Sequence, residues 1–211
     1  MIKGKKIAIV TGATGGLGRE FVCLLLKEKN VDEIWALARN EKKLSRLKEK
    51  FGKRIKIYSI DLSSVRQIKC FGEEMHEEAG RKNLEISYLV NNAGFAKFCS
   101  YGDLSVEESL NMMHVNMDAV VAMGLVCIPY MKKGSHMINI ASQASFQPLP
   151  YQNIYSSTKS FVRNYSRALN VELKEKGICV TAVCPGWIKT DLYKRAEIGA
   201  RKATTKYVGM V

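Results

Sequence analysis

Short apolar runs alternate along the chain with longer stretches in which apolar residues recur every three or four positions. The runs are KIAIV (6–10), EIWALA (33–38), IKIYSI (55–60), ISYLVNNAG (86–94), HMINIAS (136–142) and ICVTAVCPG (178–186), each of strand length. Helical patterns separate them. Residues 16–29 place Leu17, Phe21, Leu24 and Leu25 at helical spacing, and residues 40–50 turn Leu44 and Leu47 inward. A third helix is capped by Ser63 or Ser64 and runs to about residue 79. The capping box Ser105-x-x-Glu108 opens a long fourth helix toward Met131, and residues 154–176 form a fifth, stopped by Gly177. Strict alternation of this kind predicts an α/β fold: a doubly wound parallel sheet with right-handed crossovers and helices on both faces. Ligands in such sheets sit at the carboxyl ends of the strands. No linker-like composition and no internal repeat interrupts the pattern, so a single domain over residues 1–211 is expected.

Composition narrows the function classes. The chain is 46% hydrophobic and 25% charged, an ordinary globular balance. The basic start leads into only the four apolar residues IAIV, whereas a secretory core needs roughly 7–15. The longest mostly apolar stretch, 119–131, falls short of the about 20 residues that cross a bilayer. Neither export nor a membrane span is expected. Cys23, Cys70, Cys99, Cys127, Cys179 and Cys184 form no CxxC and mostly sit in apolar contexts, which reads as buried, reduced thiols and a cytoplasmic location. His76, His114 and His136 lack metal-ligand spacing, so no metal is expected. The formal charge of +13 could suit nucleic acid, anionic lipid or a small anionic ligand. The Lys and Arg are scattered, often beside Glu as in NEKKLSRLKEKFGKR, which is the pattern of a solvated helix face. Nucleic acid is therefore not an expected partner, and an anionic cofactor needs only a few of these charges.

TGATGGLG (11–18) follows the first strand and opens the first helix. Gly12, Gly16 and Gly18 let the backbone turn tightly and approach a pyrophosphate, with Thr14, Gly15 and Leu17 completing the loop. The helix start offers unpaired N–H groups and the positive end of its dipole. An NAD site usually has an acid about 20 residues on, at the end of the second strand, to bind the ribose 2′-hydroxyl. Ala38 stands there, followed by Arg39, which could fork onto a 2′-phosphate. NADP(H) is favoured over NAD(H).

Later stretches extend the pattern. NNAG (91–94) closes the fourth strand, and HVNMDA puts Asn116 inside an apolar helix, which demands a buried partner, a water or a kink. Ser142 ends the fifth strand, thirteen residues before Tyr155, and Lys159 lies four beyond that, on the same helical face as the tyrosine. TGxxxGxG, NNAG and Ser142/Tyr155/Lys159, in this order and on these elements across residues 11–190, resemble the short-chain dehydrogenase/reductase family. The resemblance implies a Rossmann-like fold and an NAD(P)-dependent oxidoreductase interconverting a ketone and a secondary alcohol by hydride transfer. A free tyrosine titrates near pH ~10, and a neighbouring ammonium would lower that value, fitting Tyr155 as general acid/base. Lys159 would also hold the nicotinamide ribose, Ser142 would direct the substrate oxygen, and Asn116 would hold a water on a proton relay.

By the same resemblance, Asp61 and Leu62 would reach the adenine, and Asn91, Ala93 and Gly94 would lie beside the cofactor. Pro185 and Gly186 would turn over the nicotinamide, and Ile188 and Thr190 would contact its carboxamide. Phe146, Leu149, Tyr151, Trp187 and Tyr193 are candidates for an apolar substrate pocket. The stretch from Phe146 to Ile178 resembles the branch acting on hydrophobic ketones, such as ketoacyl chains or steroids. Family members usually continue to a seventh strand. Here the chain ends some twenty residues after Thr190, so the sheet is expected to stop at the sixth, with a substrate loop from about residue 187. A homodimer or homotetramer is expected, with the helices of Asn116 and Tyr155 as the preferred interface. The alternative is a non-catalytic dinucleotide-binding regulator or scaffold, which would need the glycine loop but not Ser142, Tyr155 and Lys159.

Overall fold

Six strands form one parallel sheet: β1 (Lys6–Thr11), β2 (Glu33–Ala38), β3 (Ile55–Ser59), β4 (Glu85–Asn91), β5 (Met131–Ile140) and β6 (Cys179–Val183). They are ordered β3-β2-β1-β4-β5-β6. The computed structural model describes residues 4–188 and residue 196. Chain progression reverses between β1 and β4, which opens a crevice at their carboxyl ends. The helices are α1 (Gly16–Leu25), α2 (Glu41–Phe51), α3 (Val65–Lys82), α4 (Val106–Met113), α5 (Ala119–Cys127) and α6 (Asn153–Glu172).

The two-residue alternation of the strands sorts side chains onto two cores. Ile7, Ile9, Trp35 and Leu89 face α3, α5 and α6, where they meet Phe71, Met75, Met123 and Leu169. Ala8, Val10, Ile34 and Val90 face α1 and α2, where they meet Val22, Leu25, Leu44 and Leu47. Burial on both faces is why the strands read as unbroken apolar runs rather than as alternating ones.

Local signals set most helix starts. Asn40 accepts a bond from Lys43 N at 2.9 Å, Ser64 caps α3 through Gln67 N, and Ser105 and Glu108 close their capping box. The boundaries differ from expectation where tertiary contacts intervene. The helix before β5 stops in a short 3₁₀ turn, Ile128–Tyr130, that contains Pro129. The strand begins at Met131 rather than at 136, and the Ser135 hydroxyl donates to Ile86 O at 2.8 Å. α4 and α5 form one helical run through a π turn, His114–Asp118. That run, Val106–Tyr130, holds an 18-residue window of mean hydropathy 1.5, long and apolar enough to cross a membrane by length and composition alone, and 39% of the window is buried. One face of the run packs on the sheet, α3 and α6. The expected absence of a seventh strand, and residues Thr190 and Tyr193, lie outside the described residues.

Candidate active site

The loop after β1 is a close-packed joint. Thr11 Oγ1 accepts from the backbone N–H groups of Asn92 and Ala93 at 2.9 and 3.0 Å. The Asn92 amide donates back to Thr11 O and Gly12 O at 3.0 and 3.3 Å. The ends of β1 and β4 are thus laced together where the crevice opens. Gly12 has φ +63, and a Cβ on Gly18 would lie 2.2 Å from Gly12 O and 2.6 Å from the Asn92 amide. No side chain caps α1, whose N-cap is Gly15, so the N–H groups of its first turn face the groove without a side-chain acceptor. Gly18→Ala is expected to destabilise the protein by about 1–3 kcal/mol and to weaken dinucleotide binding at least about tenfold. Thermal melts with and without NADPH check both, and an unchanged shift on NADPH addition would refute the second.

The groove encloses about 780 Å³ and runs from the α1 start across the strand ends to Tyr155. It is lined at one end by Arg39, Asn40, Lys43, Asp61 and Leu62, and at the other by Ser142, Tyr155, Lys159, Pro185, Gly186 and Ile188. The inner side chains converge from three elements. Ser142 follows β5, its side chain accepting from Ala144 N at 3.1 Å. Tyr155 and Lys159 come from adjacent turns of α6, and both are buried. Lys159 Nζ lies 5.9 Å from the centroid of the Tyr155 ring and donates to Ile140 O at 2.8 Å.

Electrostatics here depart from expectation. Burial pushes the Tyr155 phenol above its ordinary value, and a hydrogen bond with Ser142 partly offsets that. Lys159 does not depress the phenol in this structure. Burial instead lowers its own pKa to about 8, because its ammonium has left water for one backbone carbonyl. Asn116 is fully buried, and its side chain is committed. Oδ1 accepts from Phe95 N at 3.0 Å, while Nδ2 donates to Phe95 O at 3.0 Å and Thr158 Oγ1 at 3.1 Å. The π turn and these partners together answer the question an asparagine inside an apolar helix raises. Gly94 fits between: a Cβ there would meet Asn116 Oδ1 at 3.0 Å and Lys159 Nζ at 3.3 Å.

This geometry can be set against known proteins. The family model described as short chain dehydrogenase matches residues 6–200. The chain belongs to the short-chain dehydrogenases. It is 28% identical to an uncharacterized oxidoreductase of Staphylococcus epidermidis over 200 residues, 94% of this chain and 84% of that protein. It is 33% identical to the very-long-chain 3-oxoacyl-CoA reductase-B of Danio rerio over 201 residues, 90% of this chain but only 61% of that protein. Among solved structures, the closed form of serine dehydrogenase complexed with NADP+ superimposes with a TM-score of 0.77 at 29% identity, covering 88% of this chain and 74% of that one. The chain is therefore an oxidoreductase of the NAD(P)-dependent dehydrogenase/reductase type, acting on a small molecule with a nicotinamide dinucleotide.

In this short-chain dehydrogenase most residues expected at the cofactor line the groove: Gly12, Thr14, Gly15, Gly16, Leu17, Gly18, Arg39, Asp61, Leu62, Ala93, Gly94, Pro185, Gly186 and Ile188. Asn91 does not. Its amide donates to Asn139 Oδ1 at 2.8 Å inside the sheet, and the next residue, Asn92, lines the groove instead. Asn91 is the last residue of β4 and is held between strands, while Asn92 lies just past the strand end, where its amide is bonded to Thr11 O and Gly12 O at the groove. The pocket candidates scatter. Leu149 and Trp187 pack at the edge of an apolar cluster with Tyr155, Phe98 and Met112. Phe146 is exposed and lies under the Arg163 guanidinium, 4.4 Å from ring centroid to charge. Tyr151 is exposed, at φ 64. Sequence reasoning missed Phe95, Asn40, Lys43 and Ile140, which line the groove. Asn40 and Lys43 could have been found from the cap they form beside Arg39; Phe95 and Ile140 carry no local signal.

Proposed function

We propose that this chain is an NADP(H)-dependent reductase of apolar ketones, with Tyr155 as the proton donor. The observation that carries the reading is the convergence of Ser142, Tyr155 and Lys159 at the buried end of a groove whose other end holds Arg39. The groove's own features fit a dinucleotide: glycine contacts that a Cβ would fill, an uncapped helix start for a pyrophosphate, and cations at the far end for a 2′-phosphate. Such a cofactor, when bound, supplies or takes the hydride. Ser142 donates to the substrate oxygen and orients it beside Tyr155. The phenol, protonated at neutral pH as an ordinary tyrosine is and biased further toward that form by burial, gives its proton to that oxygen as the C–O π electrons move onto it. The resulting phenolate faces the buried Lys159 ammonium. Asn116 holds the Gly94–Phe95 backbone against Lys159, a positioning role.

Support for an apolar substrate comes from Phe95, Leu149 and Trp187 packed around Tyr155, and from the 3-oxoacyl-CoA reductase relative. The non-catalytic alternative would need none of the three convergent side chains. The exposed Leu110, Leu125, Phe161 and Val171 on α4, α5 and α6 suit a second copy of the chain, and a homodimer or homotetramer built on these helices is part of the proposal, as is a cytoplasmic location. Light scattering that gives only monomer would reject that assembly.

Arg39→Asp tests the cofactor. Loss of a charge-assisted contact and repulsion by the new carboxylate are expected to weaken NADPH binding about ten- to a hundredfold, while NADH binding holds or improves. Fluorescence titration of both cofactors measures this; a wild-type protein that prefers NADH would overturn the assignment.

A further inference from the structure

Residues 39–69 contain eleven Lys and Arg against three Asp and Glu, a formal +8 of the chain's +13. Two of these cations are engaged. Arg54 donates to Leu26 O and Val31 O, and Lys56 pairs with Glu74 and Glu78. The others include Lys42, Lys43, Arg46, Lys48 and Lys50 on α2, all exposed and without an ion pair among the described residues. Lys50 lies over the ring of Phe51. Only Glu41 and Glu49 oppose them on the helix. Arg66 and Lys69, in the first turns of α3, extend the same field. The acids of α3 come later along it, and Glu74, Glu77 and Glu78 are paired with Lys56, Arg81 and Lys82.

This charge sits at one particular place. α2 starts where the groove ends, since Arg39, Asn40 and Lys43 line it. Lys42, Arg46 and Lys50 do not line it. At a rise of about 1.5 Å per residue, Arg46 and Lys50 lie roughly 5 and 11 Å down the helix axis from Lys43. Neither side chain is among those that line the groove. Both lie well within the screening length of about 30 Å at 0.01 M salt, and Arg46 also lies within the about 10 Å that holds at 0.1 M. Two cations suffice for a contact, and the surplus acts at a distance.

We propose that the basic face of α2 is an electrostatic guide for the anionic dinucleotide, speeding its entry into the groove without lengthening its stay. The proposal rests on the groove being the dinucleotide site. A 2′-phosphate adds about −1.5 to −2 charges at neutral pH, so the guide acts more strongly on NADPH than on NADH. Focusing of this kind raises association rates about ten- to a thousandfold at low salt, and the gain falls steeply as salt rises.

The test is stopped-flow binding of NADPH and of NADH, followed by cofactor fluorescence, at about 0.01 M and 1 M salt. The variants are K42E/R46E/K50E, the neutral K42Q/R46Q/K50Q, and the control K174E/K176E at the opposite end of the sheet. At low salt the charge-reversed variant should bind NADPH at least about tenfold more slowly, with a smaller loss for NADH and an intermediate loss for the Gln variant. Its dissociation rate and kcat should be unchanged, its deficit should vanish at high salt, and the control should match wild type. Equal association rates at low salt overturn the guide; so does a loss that appears in the dissociation rate. Tighter equilibrium binding of NADH than NADPH by wild type would instead defeat the cofactor assignment, while either dinucleotide still reads the guide.

Discussion

Tyr155→Phe is expected to lower the rate of ketone reduction by about 10²–10⁴-fold while changing NADPH affinity by no more than about twofold. The ring stays, and with it the edge contact of Phe98, whose centroid lies 6.1 Å away. Only the hydroxyl is lost, together with its bond to Ser142. A buried phenol held protonated is the form a reduction consumes, so the loss falls on the chemical step. Single-turnover oxidation of NADPH with an apolar ketone, compared with equilibrium titration of NADPH, separates the two effects. Retention of more than about a tenth of the wild-type rate would mean that another group delivers the proton.

Lys159→Met is expected to cripple the enzyme and stabilise the protein. The Lys159 ammonium titrates at about 8 in the folded chain against an ordinary 10.5. Folding therefore opposes the charged form. At any pH below about 8 both states carry the proton and the whole penalty is present, about 3 kcal/mol by the size of the shift. Between pH 8 and 10.5 only the unfolded chain keeps the proton, so stability rises with pH through that window. Methionine removes the penalty but also the bond to Ile140 O, and a bond made by a charged group is worth about 1.5–3 kcal/mol. The net gain expected at pH 7 is about 0.5–2 kcal/mol, up to several degrees in melting temperature, with kcat down at least about a hundredfold. Melting curves of the two proteins from pH 7 to 10.5 give the difference directly. A variant less stable at pH 7, or a gap that does not close as pH rises through the window, would show that the ammonium is not stored at a cost.

The electrostatics of this pair follow from burial and not from residue type. Tyr155 and Lys159 are four apart on a helix, and that spacing alone suggests an ammonium that lowers a phenol's pKa. In the folded protein both groups are buried, desolvation is the largest influence on each, and the lysine donates one bond to Ile140 O of β5. Burial is a property of everything packed around α6, and no window of sequence contains it.

Legible in the sequence alone are the alternation of strands and helices, a cap at Ser63 or Ser64, the capping box of Ser105 and Glu108, the glycine loop and the Ser142/Tyr155/Lys159 set. Each depends on contacts within a few residues or on a repeat matched to local geometry. Tertiary structure decided the rest. It chose Asn92 over Asn91 for the groove, through the bond of Asn91 to Asn139 inside the sheet and the lacing of Asn92, just past the end of β4, to Thr11 and Gly12. It filled the valences of Asn116 with Phe95 and Thr158, from 21 and 42 residues away. It also brought charges scattered between Glu residues on paper to one rim of the crevice, because α2 and α3 both start at the carboxyl ends of their strands. Parallel strands joined by crossovers place the start of every such helix on the same side of the sheet, and that shared edge is where residues distant in sequence become one site.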